Sequence, residues 1–265
     1  MQSNEDELVA LSPDDRLSGQ TALVTGSSSG IGEAIARVLA ASGAHVIVNG
    51  RDAERTQAVV TTIERAGGKA SPLVADLGTS ASDVRRLAAE ASALAGDQID
   101  ILVNNAGIYP ATATADLADD DLDAVLRINI RAPHVLVAAL APAMAERGRG
   151  SIVNIGSWMA RVGLPFGAVY TASKAALEQM TRTWAAEYGP RGVHVNTVAP
   201  GATSTPGNAE SEDVLAAMTE VTVAGRPVRP VDVAYAVRFA VSDEASFLHG
   251  STIDVDGGIA STRLG

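Results

Sequence analysis

The chain alternates short runs of β-branched and aliphatic residues with longer Ala-rich stretches in which apolar positions recur every three or four residues. The short runs predict strands at 21–25, 45–49, 70–75, 99–103, 151–156, 193–198 and near 251–255. The longer stretches predict helices at 31–42, 53–66, 81–95, within 119–147, at 169–188 and near 230–241. This alternation of strand and helix is typical of α/β proteins with a parallel sheet.

Most predicted strands are apolar on both faces, as expected where helices cover both sides of a sheet. No linker or internal repeat interrupts the pattern. We therefore expect a single α/β domain over residues 18–265, with a doubly wound parallel sheet of about seven strands and helices on both faces. Because only 3% of the residues are aromatic while 46% are hydrophobic, its core is expected to be aliphatic.

Two segments lie outside this alternation. Residues 1–17 are rich in acidic side chains and precede the first strand, so we interpret them as a flexible arm, with a clasp on a neighbouring subunit as the alternative. The stretch near 200–212 is rich in Gly, Pro, Ser, Thr and Asn and follows a strand directly, where open α/β sheets bind ligands. With the helix after it, to about residue 225, it is interpreted as a mobile substrate lid; an inert surface loop is the alternative.

Charge and composition exclude several classes of function. The formal net charge of −11 argues against binding of nucleic-acid phosphates as the main function. Cysteine is absent and the four histidines are scattered, so thiol chemistry, disulfides and a bound metal are not expected. No segment shows the uninterrupted apolar length of a membrane span, and the acidic start is unlike a secretory signal, so a cytoplasmic protein without a membrane partner is expected.

A glycine-rich segment joins the first predicted strand to the following helix. It reads Thr25-Gly26-Ser27-Ser28-Ser29-Gly30-Ile31-Gly32. Gly26 permits a tight turn, whereas Gly30 and Gly32 permit close approach of the backbone to a pyrophosphate and of the helix to the strand. The spacing differs from that of the general dinucleotide fingerprint, so the interpretation rests on the position between strand and helix.

Tyr170 and Lys174 are four residues apart and therefore lie on one face of a predicted helix. Ser157 lies thirteen residues before Tyr170, at the C-terminal end of a predicted strand. A carbonyl that accepts a hydride develops negative charge on its oxygen, so it needs a hydrogen-bond donor and then a proton. Ser157 and Tyr170 can supply both, and the positive charge of Lys174 should lower the pKa of the Tyr170 phenol.

The glycine segment, Ser157 and the run from Tyr170 to Lys174 together resemble the short-chain dehydrogenase/reductase family, over residues 18–258. The resemblance implies a Rossmann-type fold, hydride transfer between NAD(P)(H) and a ketone or secondary alcohol with Tyr170 as general acid/base, and a homo-oligomer, either tetramer or dimer. It also implies that Lys174 binds the nicotinamide ribose and that oxidised nicotinamide further lowers the pKa of Tyr170. The alternative is a cofactor-binding regulatory or structural protein without turnover, against which the intact catalytic residues argue.

Asn129 lies four residues before Pro133, whose ring would clash with the carbonyl of residue 129 and kink the predicted helix. In the family, an asparagine at such a kink holds a water that relays protons to the lysine. The resemblance therefore gives Asn129 a catalytic role. A kink without catalytic consequence is the alternative.

The choice of cofactor depends on the end of the second strand. Gly50 stands where NAD-preferring proteins place an acid on the adenine ribose, and Arg51 follows it. An acid would repel a 2′-phosphate, whereas an arginine can bind one bidentately, so NADP(H) is favoured. NAD is the alternative, because Arg51 could be a solvated residue, Asp52 is close, and Ser29 occupies the family's other common basic position.

Further cofactor contacts follow from the same resemblance. Asp76 and Leu77 would contact adenine, the Asn104-Asn105-Ala106-Gly107 run would line the adenosine pocket and brace the sheet, and Thr203 or Thr205 would bond the nicotinamide carboxamide. The expected cofactor residues are Gly26, Ser27, Ser28, Ser29, Gly30, Ile31, Gly32, Arg51, Asp76, Leu77, Asn104, Ala106, Gly107, Tyr170, Lys174, Pro200, Gly201, Thr203 and Thr205.

The substrate is less defined than the reaction. An apolar pocket is expected from Tyr109, Trp158, Met159, Val162, Phe166 and the segment 204–224. Acyl thioesters, sugars or polyols, and steroid or xenobiotic ketones all remain compatible with this sequence, and so do both directions of the reaction.

Overall fold

The computed structural model describes residues 4–262, without the side chains of residues 209 and 210. Within this part of the chain, seven parallel strands form one sheet. They are β1 (Thr21–Val24), β2 (His45–Gly50), β3 (Lys69–Val74), β4 (Ile101–Asn104), β5 (Gly150–Ile155), β6 (Val193–Pro200) and β7 (Thr252–Val255). Their order is β3-β2-β1-β4-β5-β6-β7, so the sheet grows in opposite directions from β1 and β4. This confirms the predicted doubly wound fold, whose ligand crevice lies at the carboxyl ends of the strands near that switch.

Helices cover both faces of the sheet. They are α1 (Asn4–Val9), α2 (Gly30–Ala41), α3 (Ala53–Arg65), α4 (Ala81–Leu94), α5 (Asp119–Val125), α6 (Ala132–Arg147), α7 (Ala168–Tyr188), α8 (Glu212–Glu220) and α9 (Pro230–Val241). A π-helical segment, Leu126–Arg131, joins α5 to α6 in one continuous helical run. Every helix and strand predicted from the sequence is present, with ends that differ by a few residues.

The two-residue period of the strands explains why both faces are apolar. Ala22 and Val24 of β1 pack in a hydrophobic cluster with residues of α2 and α9. Leu23, between them, packs on the opposite face with residues of α4, α6 and α7. All three side chains are fully buried. The core is therefore divided by the sheet into two aliphatic layers.

The segment before β1, expected to be a flexible arm, contains helix α1. Its Leu8 is buried in the cluster shared with α2 and α9. The Asn4 side-chain oxygen accepts a hydrogen bond from the Val231 backbone N–H at 2.9 Å, in the first turn of α9. Flexibility of the arm in solution stays a prediction, and residues 1–3 and 263–265 lie outside the described residues.

The helical run Asp119–Arg147 is, by length and composition alone, apolar enough to cross a membrane. The sequence led us to expect no segment of the length of a membrane span. Half of its most apolar window is buried inside the protein, where Leu136 and Met144 of α6 pack against the sheet. A core helix of a folded domain has the same composition, and we interpret this run as one.

Candidate active site

The glycine-rich turn between β1 and α2 is packed too tightly for side chains at two of its glycines. Gly26 has a φ of +61°, and a Cβ there would lie 2.9 Å from the Cα of Ala106. A Cβ on Gly32 would lie 2.3 Å from the Gly26 carbonyl oxygen. These two glycines therefore let the turn pack against the start of α2 and against the residues after β4.

The start of α2 is left open for an anion. A Cβ on Gly30 would meet nothing closer than the Thr205 side chain at 3.5 Å. Ser29, the residue before the helix, makes no side-chain hydrogen bond that would cap its first turn. The free N–H groups of that turn and the positive end of the helix dipole suit a phosphate.

The Ser27 side chain points into the protein. It is fully buried, and its hydroxyl donates to the Val24 carbonyl oxygen at 2.7 Å and accepts from the Asn49 N–H at 3.0 Å. Asn105 also braces the turn, since its amide nitrogen donates to the carbonyl oxygens of Thr25 and Gly26 at 2.9 and 3.1 Å. Ser27 thus anchors the loop to β2, whereas Asn105 both braces the loop and borders the cavity described below.

Asn104 belongs to a buried polar chain. Its amide nitrogen donates to the Asn154 side-chain oxygen at 2.8 Å, and Asn154 donates to the Thr181 hydroxyl at 2.7 Å. The Thr181 hydroxyl also lies 2.9 Å from that of Thr197. This chain connects β4, β5, α7 and β6 beneath the site. The sequence analysis missed Asn154, Thr181 and Thr197, because their positions in separate elements gave no common motif.

The end of β2 is tightly packed around Gly50. A Cβ on Gly50 would lie 2.5 Å from the Thr56 hydroxyl and 2.7 Å from the Ser28 hydroxyl, so this space is filled by protein and not left for a phosphate. Arg51 is exposed and makes no hydrogen bond or ion pair within the described residues. The Asp52 carboxylate accepts from the Arg55 N–H at 3.0 Å and caps α3. Arg51 is therefore unpaired among the described residues, whereas the carboxylate of the adjacent Asp52 is occupied in capping α3.

Asp76 and Leu77, the two residues expected near adenine, differ in exposure. Asp76 is exposed after β3, and its carboxylate accepts a hydrogen bond from the Gly78 N–H at 2.7 Å. Leu77 is buried in the core layer that contains α4 and α6. Only the first of them has a side chain at the surface.

Lys174 lies at the centre of the predicted catalytic group. It is buried, its ammonium donates to the Ile155 carbonyl oxygen at 2.8 Å, and it lies 5.8 Å from the centre of the Tyr170 ring. Burial lowers the pKa of Lys174 to about 8. Neutral and charged forms of this amine are therefore both accessible near physiological pH.

Asn129 lies in the π-helical segment and not at a simple proline kink. Its side-chain oxygen accepts from the Ile108 N–H at 3.0 Å. Its amide nitrogen donates to the Ile108 carbonyl oxygen and the Ser173 hydroxyl, each at 3.1 Å. A wider helical turn is common at functional sites, and here it directs Asn129 toward the residue before Lys174.

Ser157 and Tyr170 meet at the cavity. Ser157 follows β5, and its hydroxyl accepts from the Met159 N–H at 3.2 Å. The Tyr170 ring, in the first turn of α7, packs on Tyr109 with ring centres 4.5 Å apart. Burial raises the pKa of the Tyr170 phenol, and a hydrogen bond with Ser157 offsets only part of that effect. Burial therefore has a larger influence on this pKa than any lowering by the charge of Lys174.

A cavity of about 900 Å³ opens at the carboxyl ends of the strands. The predicted site residues that line it are Ile31, Gly107, Ser157, Tyr170, Lys174, Pro200, Gly201, Thr203 and Thr205. Its apolar part contains the expected Tyr109, Trp158, Met159 and Phe166, together with Leu164, Val214, Leu215 and Met218. Val162 is not among the lining residues. The remaining predicted residues, including Asn129, lie outside this lining.

Asn208 orders the loop that closes one side of the cavity. Its side-chain oxygen accepts from the Thr205 N–H at 2.8 Å and the Thr205 hydroxyl at 3.0 Å. Its amide nitrogen donates to the Thr203 carbonyl oxygen at 2.8 Å. Asn208 was not predicted as a site residue, because an asparagine in a polar loop carries no distinctive sequence signal. Among the described residues, no group of His, Cys, Asp or Glu side chains could hold a metal ion.

Comparison with known proteins agrees with this geometry. The family described as short chain dehydrogenase matches residues 20–215. A 3-oxoacyl-acyl-carrier-protein reductase from Thermotoga maritima is 35% identical, with 92% of this chain and 99% of that protein covered. A cyclopentanol dehydrogenase from Comamonas is 36% identical, with 92% and 98% covered.

A solved structure gives the same result. A short chain dehydrogenase from Burkholderia cenocepacia, determined in complex with NADP, is 41% identical, with a TM-score of 0.85 and coverage of 93% of this chain and 100% of that chain. The protein is therefore a member of the short-chain dehydrogenase/reductase family, whose oxidoreductases transfer a hydride with a nicotinamide cofactor.

Proposed function

We propose that this protein interconverts a ketone and a secondary alcohol with NADP(H), using Tyr170 as the general acid and base. The observation that carries the proposal is the convergence of Tyr170, Ser157 and Lys174 on one cavity. This cavity lies at the strand ends, next to a helix start suited to phosphate. A pair of hydroxyls that share a hydrogen bond can both face a carbonyl oxygen.

The residues present fit a dinucleotide. The uncapped start of α2 would hold the pyrophosphate, Lys174 the nicotinamide ribose, and the wall from Pro200 to Thr205 the carboxamide. When bound, nicotinamide supplies or accepts the hydride. Gly107 lies close to two of the predicted catalytic side chains, since a Cβ there would lie 3.3 Å from the Asn129 side-chain oxygen and 3.4 Å from the Lys174 nitrogen.

The proton is handled by Tyr170. Its hydroxyl would donate to the substrate oxygen as negative charge develops there, while the Ser157 hydroxyl donates a second hydrogen bond. Lys174, with its pKa of about 8, can hold or release a proton close to the phenol. Asn129 would support this group by fixing the backbone of Ile108 and the hydroxyl of Ser173.

Preference for NADP(H) is proposed from Arg51, which is exposed and unpaired among the described residues and can bind a 2′-phosphate. The NADP complex of the Burkholderia cenocepacia relative supports this choice. NAD remains the alternative. Assembly as a homotetramer or dimer and a cytoplasmic location are part of the same proposal and rest on the sequence resemblance.

The cavity favours a neutral, largely apolar substrate. Among the described residues that line it, only Lys174 carries a formal charge, and Lys174 is used near the phenol. No other described side chain of the lining is a cation that could bind a carboxylate or phosphate, or an anion that could bind an amine. The similarity to a cyclopentanol dehydrogenase supports a small alicyclic ketone or alcohol as the first compound to test.

The test is the oxidation of NADPH by purified protein with cyclopentanone, a 3-oxoacyl thioester and a polyol-derived ketone, beside the matched variant Tyr170→Phe. We expect turnover with the neutral ketone, nearly complete loss in the variant, and unchanged NADPH affinity by fluorescence titration. Turnover retained by Tyr170→Phe would contradict the acid/base role. NADPH binding without turnover of any compound would instead favour the regulatory alternative.

A further inference from the structure

The acidic helix α1 contacts the segment between α8 and α9 and the first turn of α9. A Glu7 carboxylate oxygen lies 2.5 Å from a terminal guanidinium nitrogen of Arg229, and both side chains are three-quarters or more buried. Two residues beyond Arg229, the Val231 N–H donates to the Asn4 side chain at 2.9 Å. Leu8 is buried beside this contact, in the hydrophobic cluster that includes residues of α2 and α9. The helix therefore contacts α9 and the residue before it through polar bonds of Asn4 and Glu7, with Glu7 also bonded to the Tyr235 side chain, and through apolar packing of Leu8.

The residue before Arg229 is joined to the cavity wall. The Val228 N–H donates to the Ala202 carbonyl oxygen at 2.8 Å, and the Ser204 N–H donates to the Val228 carbonyl oxygen at 3.0 Å. These bonds form an isolated bridge outside the main sheet. Ala202 and Thr203, within the bridged stretch, line the cavity. The position of the wall thus depends on the backbone next to Arg229.

The charges around Arg229 explain why Glu7 matters. Asp232 accepts hydrogen bonds from Arg229 at 2.6 Å and from Arg226 at 3.3 Å, so one carboxylate serves two guanidinium groups. Glu7 brings the second negative charge to this partly buried cluster. Without it, the two arginines would share one anion, and their mutual repulsion would act on the 226–229 segment.

We propose that Glu7 is a positioning residue, through which the N-terminal arm holds Arg229 and thereby fixes the cavity wall at Ala202 and Thr203. The family match begins at residue 20, so this contact lies outside the part of the chain that the family describes. The arm is then a brace for the site. It acts through Val228 and touches none of the reacting groups.

Glu5 provides a matched control, because it pairs with Arg37 of α2 at 3.3 Å and not with the start of α9. Amide hydrogen exchange of Glu7→Gln, Glu5→Gln and the unchanged protein tests the proposal without cofactor or substrate, and so independently of the proposed function. We expect the Val228 and Ser204 amides to exchange about threefold faster or more in Glu7→Gln and at the normal rate in Glu5→Gln. Amides of β1 and β4 should not change in either variant.

Equal protection of Val228 and Ser204 in all three proteins would overturn the proposal. A Glu7→Gln protein with a lower melting temperature but normal exchange at these two amides would overturn it as well, since Glu7 would then be merely structural.

Discussion

The ammonium of Lys174 donates a hydrogen bond to the carbonyl oxygen of Ile155, the last residue of β5, at 2.8 Å. This bond connects the helix that contains Tyr170 to the strand that precedes Ser157. It therefore helps to set the distance between the two hydroxyls of the site. The same ammonium lies 5.8 Å from the centre of the Tyr170 ring, close enough for its charge to act on the phenol.

The first prediction concerns stability and pH. The pKa of Lys174 is about 8 in the folded protein and 10.5 ordinarily, so between these values the unfolded chain binds more protons. Stability should rise with pH through that window, by at most about 3 kcal/mol, relative to Lys174→Met, which lacks the group. Urea unfolding of both proteins near the two ends of the window measures this difference. Parallel pH dependence of the two proteins would contradict it.

Tyr170 should titrate differently with and without cofactor. In the free protein burial raises the pKa of its phenol above 10.0. Oxidised nicotinamide adds a nearby positive charge, which favours the phenolate, so NADP⁺ should lower that pKa and alcohol oxidation should speed up as the proton leaves. The phenolate absorbance difference between the protein and Tyr170→Phe gives the midpoint. An identical midpoint with and without NADP⁺ would remove the proposed electrostatic role of the cofactor.

Cofactor preference should depend on Arg51. Replacement by Ala should weaken NADPH binding about tenfold, because a charge-assisted contact is lost, and leave NADH binding nearly unchanged. Arg55→Ala is the matched control, because Arg55 is also an exposed arginine, four residues later in α3. Dissociation constants of both nucleotides measure the effect. Equal loss for NADPH and NADH would exclude a contact to the 2′-phosphate.

Gly50→Asp should lower stability and not simply switch cofactor preference. Its Cβ would collide with the hydroxyls of Thr56 and Ser28, at 2.5 and 2.7 Å. We expect a loss of about 1 to 3 kcal/mol in the free energy of unfolding, as is usual for overpacked sites. Denaturant unfolding measures the loss. A variant of normal stability that prefers NADH would show that Ser28 and Thr56 move aside easily.

Asn208 should control the order of the loop that it binds. Asn208→Ala removes three hydrogen bonds to Thr203 and Thr205, and we expect NADPH affinity to fall several-fold while Tyr170 keeps its titration. Asn208→Asp keeps the acceptor and loses the donor to the Thr203 carbonyl, so it should have an intermediate effect. Unchanged affinity in the Ala variant would mean that this loop does not contribute to cofactor binding.

Much of the fold could be read from the sequence, because buried parallel strands and amphipathic helices have distinct periods. The spacing of Tyr170 and Lys174 likewise follows from helix geometry. The directions of side chains at strand ends cannot be predicted in this way. Ser27 and Asn104 were expected at the cofactor, but the structure turns both side chains into the protein, where buried partners satisfy their polar atoms.

Two other features depend on distant contacts. Helix α1 is too short to show a reliable period, and its docking depends on Arg229 and Val231, more than 200 residues away. The raised pKa of Tyr170 depends on burial by the surrounding fold, which no local motif contains. Local sequence patterns therefore indicate which residue types are available for the site, but not how burial and distant partners set their pKa values and orientations.

The π-helical segment Leu126–Arg131 also constrains how this protein can change its length. A π-turn accommodates one residue more than the equivalent α-turn, so deleting a residue there would restore a regular helix. The helices on either side would then keep their present angular phase, because the π-turn is what absorbs the extra residue. A deletion elsewhere in the run Asp119–Arg147 would instead rotate one side by about 100° relative to the other, so that either Asn129 would turn away from Ile108 and Ser173 or the buried side of α6 would turn away from the sheet. The π-turn is therefore a place where this helix can lose a residue while α6 keeps its alignment with the sheet.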